Sequence, residues 1–182
     1  MTFNLPGMSG SLPELSDKQK RDLGGAGITR RIKEDLKRIF PGCKFSVILD
    51  SYSGGKGVNI SLMSSDRQIV RRFEDLPGSL IEHLKALGYS VEQIKTLQGA
   101  RYSQLNEYTL RGDYNAVDWC NGVYLTEAGF NLLKRVVEVA DYYNYNHSDP
   151  MTDYFCVNFY LHIALGKYDK PFIDGASVSN LK

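Results

Sequence analysis

Between residues 28 and 63 the spacing of apolar side chains switches from a helical to a strand period within a few positions, and few architectures accommodate that switch. Ile32, Leu36, Ile39 and Phe40 fall at i, i+4, i+7 and i+8, one stripe of a helix over 29–40 that Pro41 and Gly42 end. Beyond this FPG connection Phe45, Val47 and Leu49 alternate with polar or solvent-facing neighbours, SYSGGKG intervenes, and Val58, Ile60 and Leu62 alternate again. An amphipathic helix running straight into a β-hairpin is predicted, and the glycines of 51–57 make the hairpin tip long. The polar face of the helix carries Arg30, Arg31, Lys33, Lys37 and Arg38.

Around this unit the rest of the chain reads as further helices and one long strand. Helices are predicted over 66–76, stopped by Pro77, over 79–87, stopped by Gly88, and over 90–97, which opens with Ser90 and Gln93 in capping-box spacing. Thr126 caps a helix reaching about Tyr143, with Phe130, Leu133, Val136, Val137 and Ala140 on one side. Residues 154–165 alternate as a half-buried strand, Phe155, Val157, Phe159, Leu161 and Ile163 against Tyr154, Asn158, Tyr160 and His162. The order suggests an α+β fold, an antiparallel sheet of three or more strands with amphipathic helices packed on one face. Residues 1–27 read as a flexible arm with a short helix at 17–23 and a glycine joint at Gly24, Gly25 and Gly27; a single domain spans 28–175 and a tail 176–182.

A chain of 182 residues is long enough to bury a core without disulfide or metal staples. It shows neither an apolar run of membrane-spanning length nor a secretory leader, so a cytoplasmic protein with no membrane partner is expected. Net charge is +1, but residues 1–44 hold nine basic and five acidic side chains whereas residues 113–182 hold five and nine. A basic front and an acidic back argue against a DNA mimic and allow one face to meet nucleic acid.

Catalytic signatures are not legible. The SYSGGKGVN segment has the glycines and lysine of a phosphate cradle but not the GxxxxGK[ST] spacing or the strand-to-helix context. Cys43, Cys120 and Cys156 show no CxxC spacing, and with His83, His147 and His162 they match no protease, zincin or deaminase pattern. His147 with Asp149 and Asp153 offers donor types that suit a divalent ion, which keeps a metal-dependent enzyme as an alternative. Arg111, Gly112 and Asp113 read as a turn, and Arg67, Arg71 and Arg72 as a second basic cluster. No enzyme and no cofactor is expected.

Binding chemistry is better represented. Cations along one helix face can track phosphates. Twelve tyrosines, with Tyr142, Tyr143, Tyr145 and Tyr154 crowded together, suit an interface or base stacking. The candidate contact residues are Arg30, Arg31, Lys33, Lys37, Arg38, Tyr52, Lys56, Tyr143 and Tyr145, with the basic helix face and the hairpin tip expected side by side.

The segment ITRRIKEDLKRIFPGCKFSVILDSYSGGKGVNISLM, residues 28–63, resembles the opening of one of the large polyvalent protein-associated domains. LTEAGFNLL, YNYNHSDPMTDYF and FYLHIALGKYDKPF resemble the distal half of the same family more loosely, with a helical insertion at about 64–98 between them. The resemblance implies a protein of phages, plasmids or conjugative elements and supplies no catalytic residues. Size and context extend it to anti-CRISPR proteins: an inhibitor that binds a guide-loaded Cas9-type nuclease and blocks target engagement or cleavage. An accessory nucleic-acid-binding module for element transfer or replication, contacting DNA or RNA, is the alternative.

Overall fold

A computed structural model describes residue 12 and residues 14–99, 102–115, 123–145, 151 and 157–175. Helices α1 (Asp17–Asp22) and α2 (Gly24–Ile39) lead into strands β1 (Lys44–Tyr52) and β2 (Gly55–Ser64). A 3-10 turn at Phe73–Asp75, α3 (Gly78–Ala86), α4 (Val91–Gln98), β3 (Ser103–Leu105), α5 (Glu107–Arg111), α6 (Glu127–Tyr143) and β4 (Tyr160–Leu165) follow. The fold is α+β, built on one four-stranded sheet in the order β1-β2-β4-β3.

The sheet is mixed. β1 with β2 and β3 with β4 are antiparallel, but β4 lies parallel to β2, Val58 opposite Leu161 and Ile60 opposite Ile163. A parallel neighbour needs a crossover, and here residues 65–159 supply it, carrying the long α6. Alternation then sorts the faces. Val58, Ile60, Leu62, Leu161, Ile163, Leu165 and Leu105 point into one core with Ile28, Ile32 and Leu36 of α2 and Phe130, Leu133, Val136 and Val137 of α6. Each such side chain withdrawn from water contributes about 1.5–3 kcal/mol. A smaller cluster of Leu76, Leu80, Leu84, Ile94 and Tyr124 seats α3 and α4.

Four local expectations change. Gly24, at a φ of 61°, makes the break between α1 and α2, while the glycines that follow form the first turn of α2 and lie on β1: a Cβ on Gly25 would come 2.7 Å from a Leu49 methyl carbon. Ahead of it, the Leu15 amide donates to the Tyr142 hydroxyl at 3.0 Å, and Lys20 and Arg21 sit over the Tyr142 and Tyr145 rings. The hairpin tip is short, since Tyr52 pairs with Gly55 and the strands absorb most of SYSGGKG, leaving Ser53 and Gly54 as the turn. Residues 66–72 are not helical. Their amides go elsewhere: Ile69 and Val70 donate to the Asp174 carboxylate at 3.0 and 3.1 Å, and Arg71 to the Tyr124 carbonyl at 2.9 Å. Among the described residues the last strand starts at Tyr160, because Asn158 and Phe159 are bound instead to the end of α6, through the Tyr145 carbonyl and the Asn144 side chain.

Candidate binding surfaces

The cations of α2 divide by their spacing. Arg30, Lys33 and Lys37, at intervals of three and four, form one solvent-facing stripe with Glu34, opposite Ile28, Ile32 and Leu36. Arg31 and Arg38 flank it. All five are exposed. Arg38 is engaged, donating to Asp35 Oδ1 at 2.8 Å. Arg30, Arg31, Lys33 and Lys37 make no ion pair among the described residues, whereas α3 and α4 neutralise lysines within their own turns, Lys85 with Glu82 at 2.8 Å and Lys95 with Glu92 at 3.2 Å.

The hairpin tip does not join this stripe. Gly25 lies against Leu49 at one end of α2 and the Phe40 ring lies 5.9 Å from that of Phe45 at the other, so helix and strand run antiparallel. Tyr52 and Lys56, both exposed, therefore sit beyond the N-terminal end of α2, away from Lys37 and Arg38. The FPG connection closes the opposite end, where a Cβ on Gly42 would lie 2.0 Å from a carboxylate oxygen of the exposed Asp66 side chain, which would have to swing aside.

Tyr143 is a core residue, fully buried, and its hydroxyl donates to Asp35 Oδ2 at 2.5 Å. Burial first, then the Asp35 bond, pushes its phenol far above the usual range, so it stays protonated and unavailable to a partner. Asp35, itself buried, is thus held by Tyr143 and Arg38 together, which locks α2 to α6. Tyr145 is half-buried under Arg21.

Other motifs resolve into structure. Arg111 grips Asp141 with two bonds of 3.0 Å, Gly112 caps α5 and Asp113 meets Lys134, so the RGD tripeptide ties α5 to α6. Arg71 donates to the Leu125 carbonyl and the Tyr114 hydroxyl, which consumes it inside the fold. Cys43 is buried beside Ser65, and desolvation raises its thiol further from the thiolate. His147, Asp149, Asp153, Cys120 and Cys156 lie outside the described residues; among the described ones no three His, Cys, Asp or Glu side chains are placed to hold a metal. No described helix is long and apolar enough to cross a membrane.

The sheet's second face carries a surface that the sequence reading passed over. Tyr52, Asp50, Ile48 and Ser46 of β1, Gly55, Gly57, Asn59 and Ser61 of β2, Tyr160, His162 and Ala164 of β4 and Gln104 of β3 share it by register. Ile48, Tyr52, Tyr102, Tyr160 and Tyr168 are 45%, 49%, 48%, 45% and 92% exposed. Towards the β3 side the face sinks into a hollow of about 220 Å³ with Ser61, Ala164 and Gln104 among its lining. Its signal in the sequence was the placement of tyrosine at outward positions of strands.

A family model places the first part of the chain. The match to Large polyvalent protein associated domain 29 covers residues 23–102. Over these residues, 80 of the chain's 182, the chain is similar to that family of phage and mobile-element proteins. No curated protein and no solved structure gave a match to the chain. The match starts one residue before α2 and ends just before β3, so its bounds take in the hairpin, α3 and α4, while α6 and β4 lie outside them. The domain nevertheless depends on them, since β2 has β4 as its second neighbour and α2 has Tyr143 of α6 as a partner.

Proposed function

We propose that this chain is a non-enzymatic binding protein of a mobile element that engages nucleic acid through the cation stripe of α2. The observation that carries the reading is that Arg30, Arg31, Lys33 and Lys37 make no ion pair among the described residues, on a helix whose other cation, Arg38, is paired. Four exposed cations on one rigid helix release counterions when phosphates replace them, and that gain needs no base-specific motif. The stripe is preorganised. Ile28, Ile32 and Leu36 anchor one side of α2 in the core, and Asp35 holds the flank.

Free DNA or RNA in element transfer or replication supplies such phosphates. So does the exposed guide RNA of a loaded Cas9-type nuclease, and inhibition of that nuclease is the particular form of the reading that the chain's size and family suggest. Labelled duplex probes are titrated with the protein at low salt, alongside a cleavage assay with the guide-loaded nuclease. Binding lost in an Arg30→Glu, Lys33→Glu, Lys37→Glu variant is the expected result. Arg38 is left intact because a glutamate there would face buried Asp35. Absence of binding to free nucleic acid and to the loaded nuclease, with unimpaired cleavage, overturns the reading.

A further inference from the structure

The open sheet face differs from α2 in chemistry as well as position. Large side chains stand around a floor of small ones. At the hairpin end, the position a Cβ would take on Gly55 lies 3.3 Å from the Tyr160 ring and 3.5 Å from the Tyr52 ring, so two tyrosines converge over a glycine. Next along the face His162 stands opposite Asn59. Beyond them is the hollow, floored by Ser61 and Ala164 and walled by Ile48, Tyr102 and Tyr168, with Lys167 on its rim. Asp50, across from Gly57, is the carboxylate of this face among the described residues.

We propose that this face is a single-stranded nucleic-acid site, with Tyr160 and Tyr52 stacking one unpaired base and the hollow taking another. Tyrosine rings offer a flat apolar surface that any base can cover, and stacking of this kind is tolerant of sequence. Asn59, Ser61, Gln104 and His162 present polar donors and acceptors to a base edge, where an apolar partner would leave them unsatisfied. Lys167 stands at the rim of the hollow, where a phosphate backbone would pass. Length decides between a polymer and a free nucleotide. Tyr160 and Ala164 are four residues apart on β4, about 13 Å at roughly 3.3 Å per residue, a span that a mononucleotide does not bridge. Duplex is excluded from such a site because its bases are already paired and stacked.

The proposal stands on a different surface from α2, and the test separates them. Fluorescence anisotropy of the full chain with a labelled oligothymidylate is measured in the Arg30→Glu, Lys33→Glu, Lys37→Glu background at about 1 M salt, where screening shortens to about 3 Å. Single strands are expected to bind, duplex is not, and thymidine monophosphate competes weakly. Tyr160→Ala should weaken binding at least about tenfold while Tyr160→Phe, which keeps the ring, binds like its parent; Ala164→Leu, which fills the hollow, should weaken it several-fold. Thermal unfolding of each variant confirms that the fold is kept. The proposal is overturned if no single strand binds, if duplex binds equally, if the monophosphate competes as well as the oligomer, or if both Tyr160→Ala and Ala164→Leu, folded, bind unchanged.

Discussion

Replacing Tyr143 by phenylalanine removes one oxygen from the contact between α2 and α6 and leaves the ring in place. That oxygen donates to Asp35 Oδ2 at 2.5 Å, and Asp35 is only 9% exposed, so water does not readily take its place. A hydrogen bond to a charged group contributes about 1.5–3 kcal/mol, and the acceptor left behind keeps its desolvation penalty. Arg38 still holds Oδ1 at 2.8 Å, which places the expected loss near 2 kcal/mol rather than at the upper end. For a chain of this size about 1 kcal/mol moves Tm by roughly 2–4 °C. Tyr143→Phe should therefore melt about 4–8 °C below the parent by calorimetry. Tyr142→Phe is the control: its hydroxyl accepts from the half-buried Leu15 amide at 3.0 Å, a neutral bond contributing about 0.5–1.5 kcal/mol. A double-mutant cycle of Tyr143→Phe with Asp35→Ala should show strong coupling. A loss below about 0.5 kcal/mol, or additivity in that cycle, would refute the Asp35 lock.

Burial and Asp35 raise the Tyr143 phenol above its unfolded value of about 10, so the folded chain keeps a proton that the unfolded chain releases. Stability is then unaffected below about pH 10 and falls as pH rises past it, by up to about 1.4 kcal/mol per unit, and denaturant titrations should show a shallower fall in Tyr143→Phe. Gly129→Ala brings a Cβ within 2.4 Å of the Ile69 carbonyl oxygen, which also accepts from the Thr126 amide, so a loss of about 1–3 kcal/mol is expected despite better helix propensity. Gly78→Ala meets nothing within 4 Å and should stay within about 0.5 kcal/mol of the parent in the same assay. Residues 23–102 expressed alone lack β4 and α6, the partners of Val58, Ile60 and Leu62, and should give no cooperative transition by circular dichroism. A sharp melt of that fragment would contradict the dependence of the polyvalent-protein domain on the rest of the chain.

The elements legible in the sequence are those whose own periodicity is strong. The stripe of Ile32, Leu36 and Ile39 gave α2, the alternation of Val58, Ile60 and Leu62 gave β2, and the Ser90 and Thr126 caps began α4 and α6 where expected. What local pattern could not carry was set by distant partners. Residues 66–72 have helical spacing, but Asp174 takes the Ile69 and Val70 amides. β4 pairs parallel to β2 through a crossover that no short window contains. Of the candidate contacts, Arg30, Arg31, Lys33, Lys37, Tyr52 and Lys56 are exposed, while Tyr143 is buried because Asp35, 108 positions away, requires its hydroxyl. The aromatic sheet face stayed hidden since Tyr52, Tyr102 and Tyr160 become neighbours only through the sheet order.

The salt dependence of nucleic-acid binding tests the role of α2 most directly. If Arg30, Arg31, Lys33 and Lys37 each neutralise one phosphate, log K for duplex should fall against log salt with a slope of about −3.6. In the folded Arg30→Glu, Lys33→Glu, Lys37→Glu variant the slope should shrink to about −0.9 or binding should vanish. An unchanged slope and affinity in that variant would show that phosphates meet another surface and that the cation stripe of α2 is not the binding face.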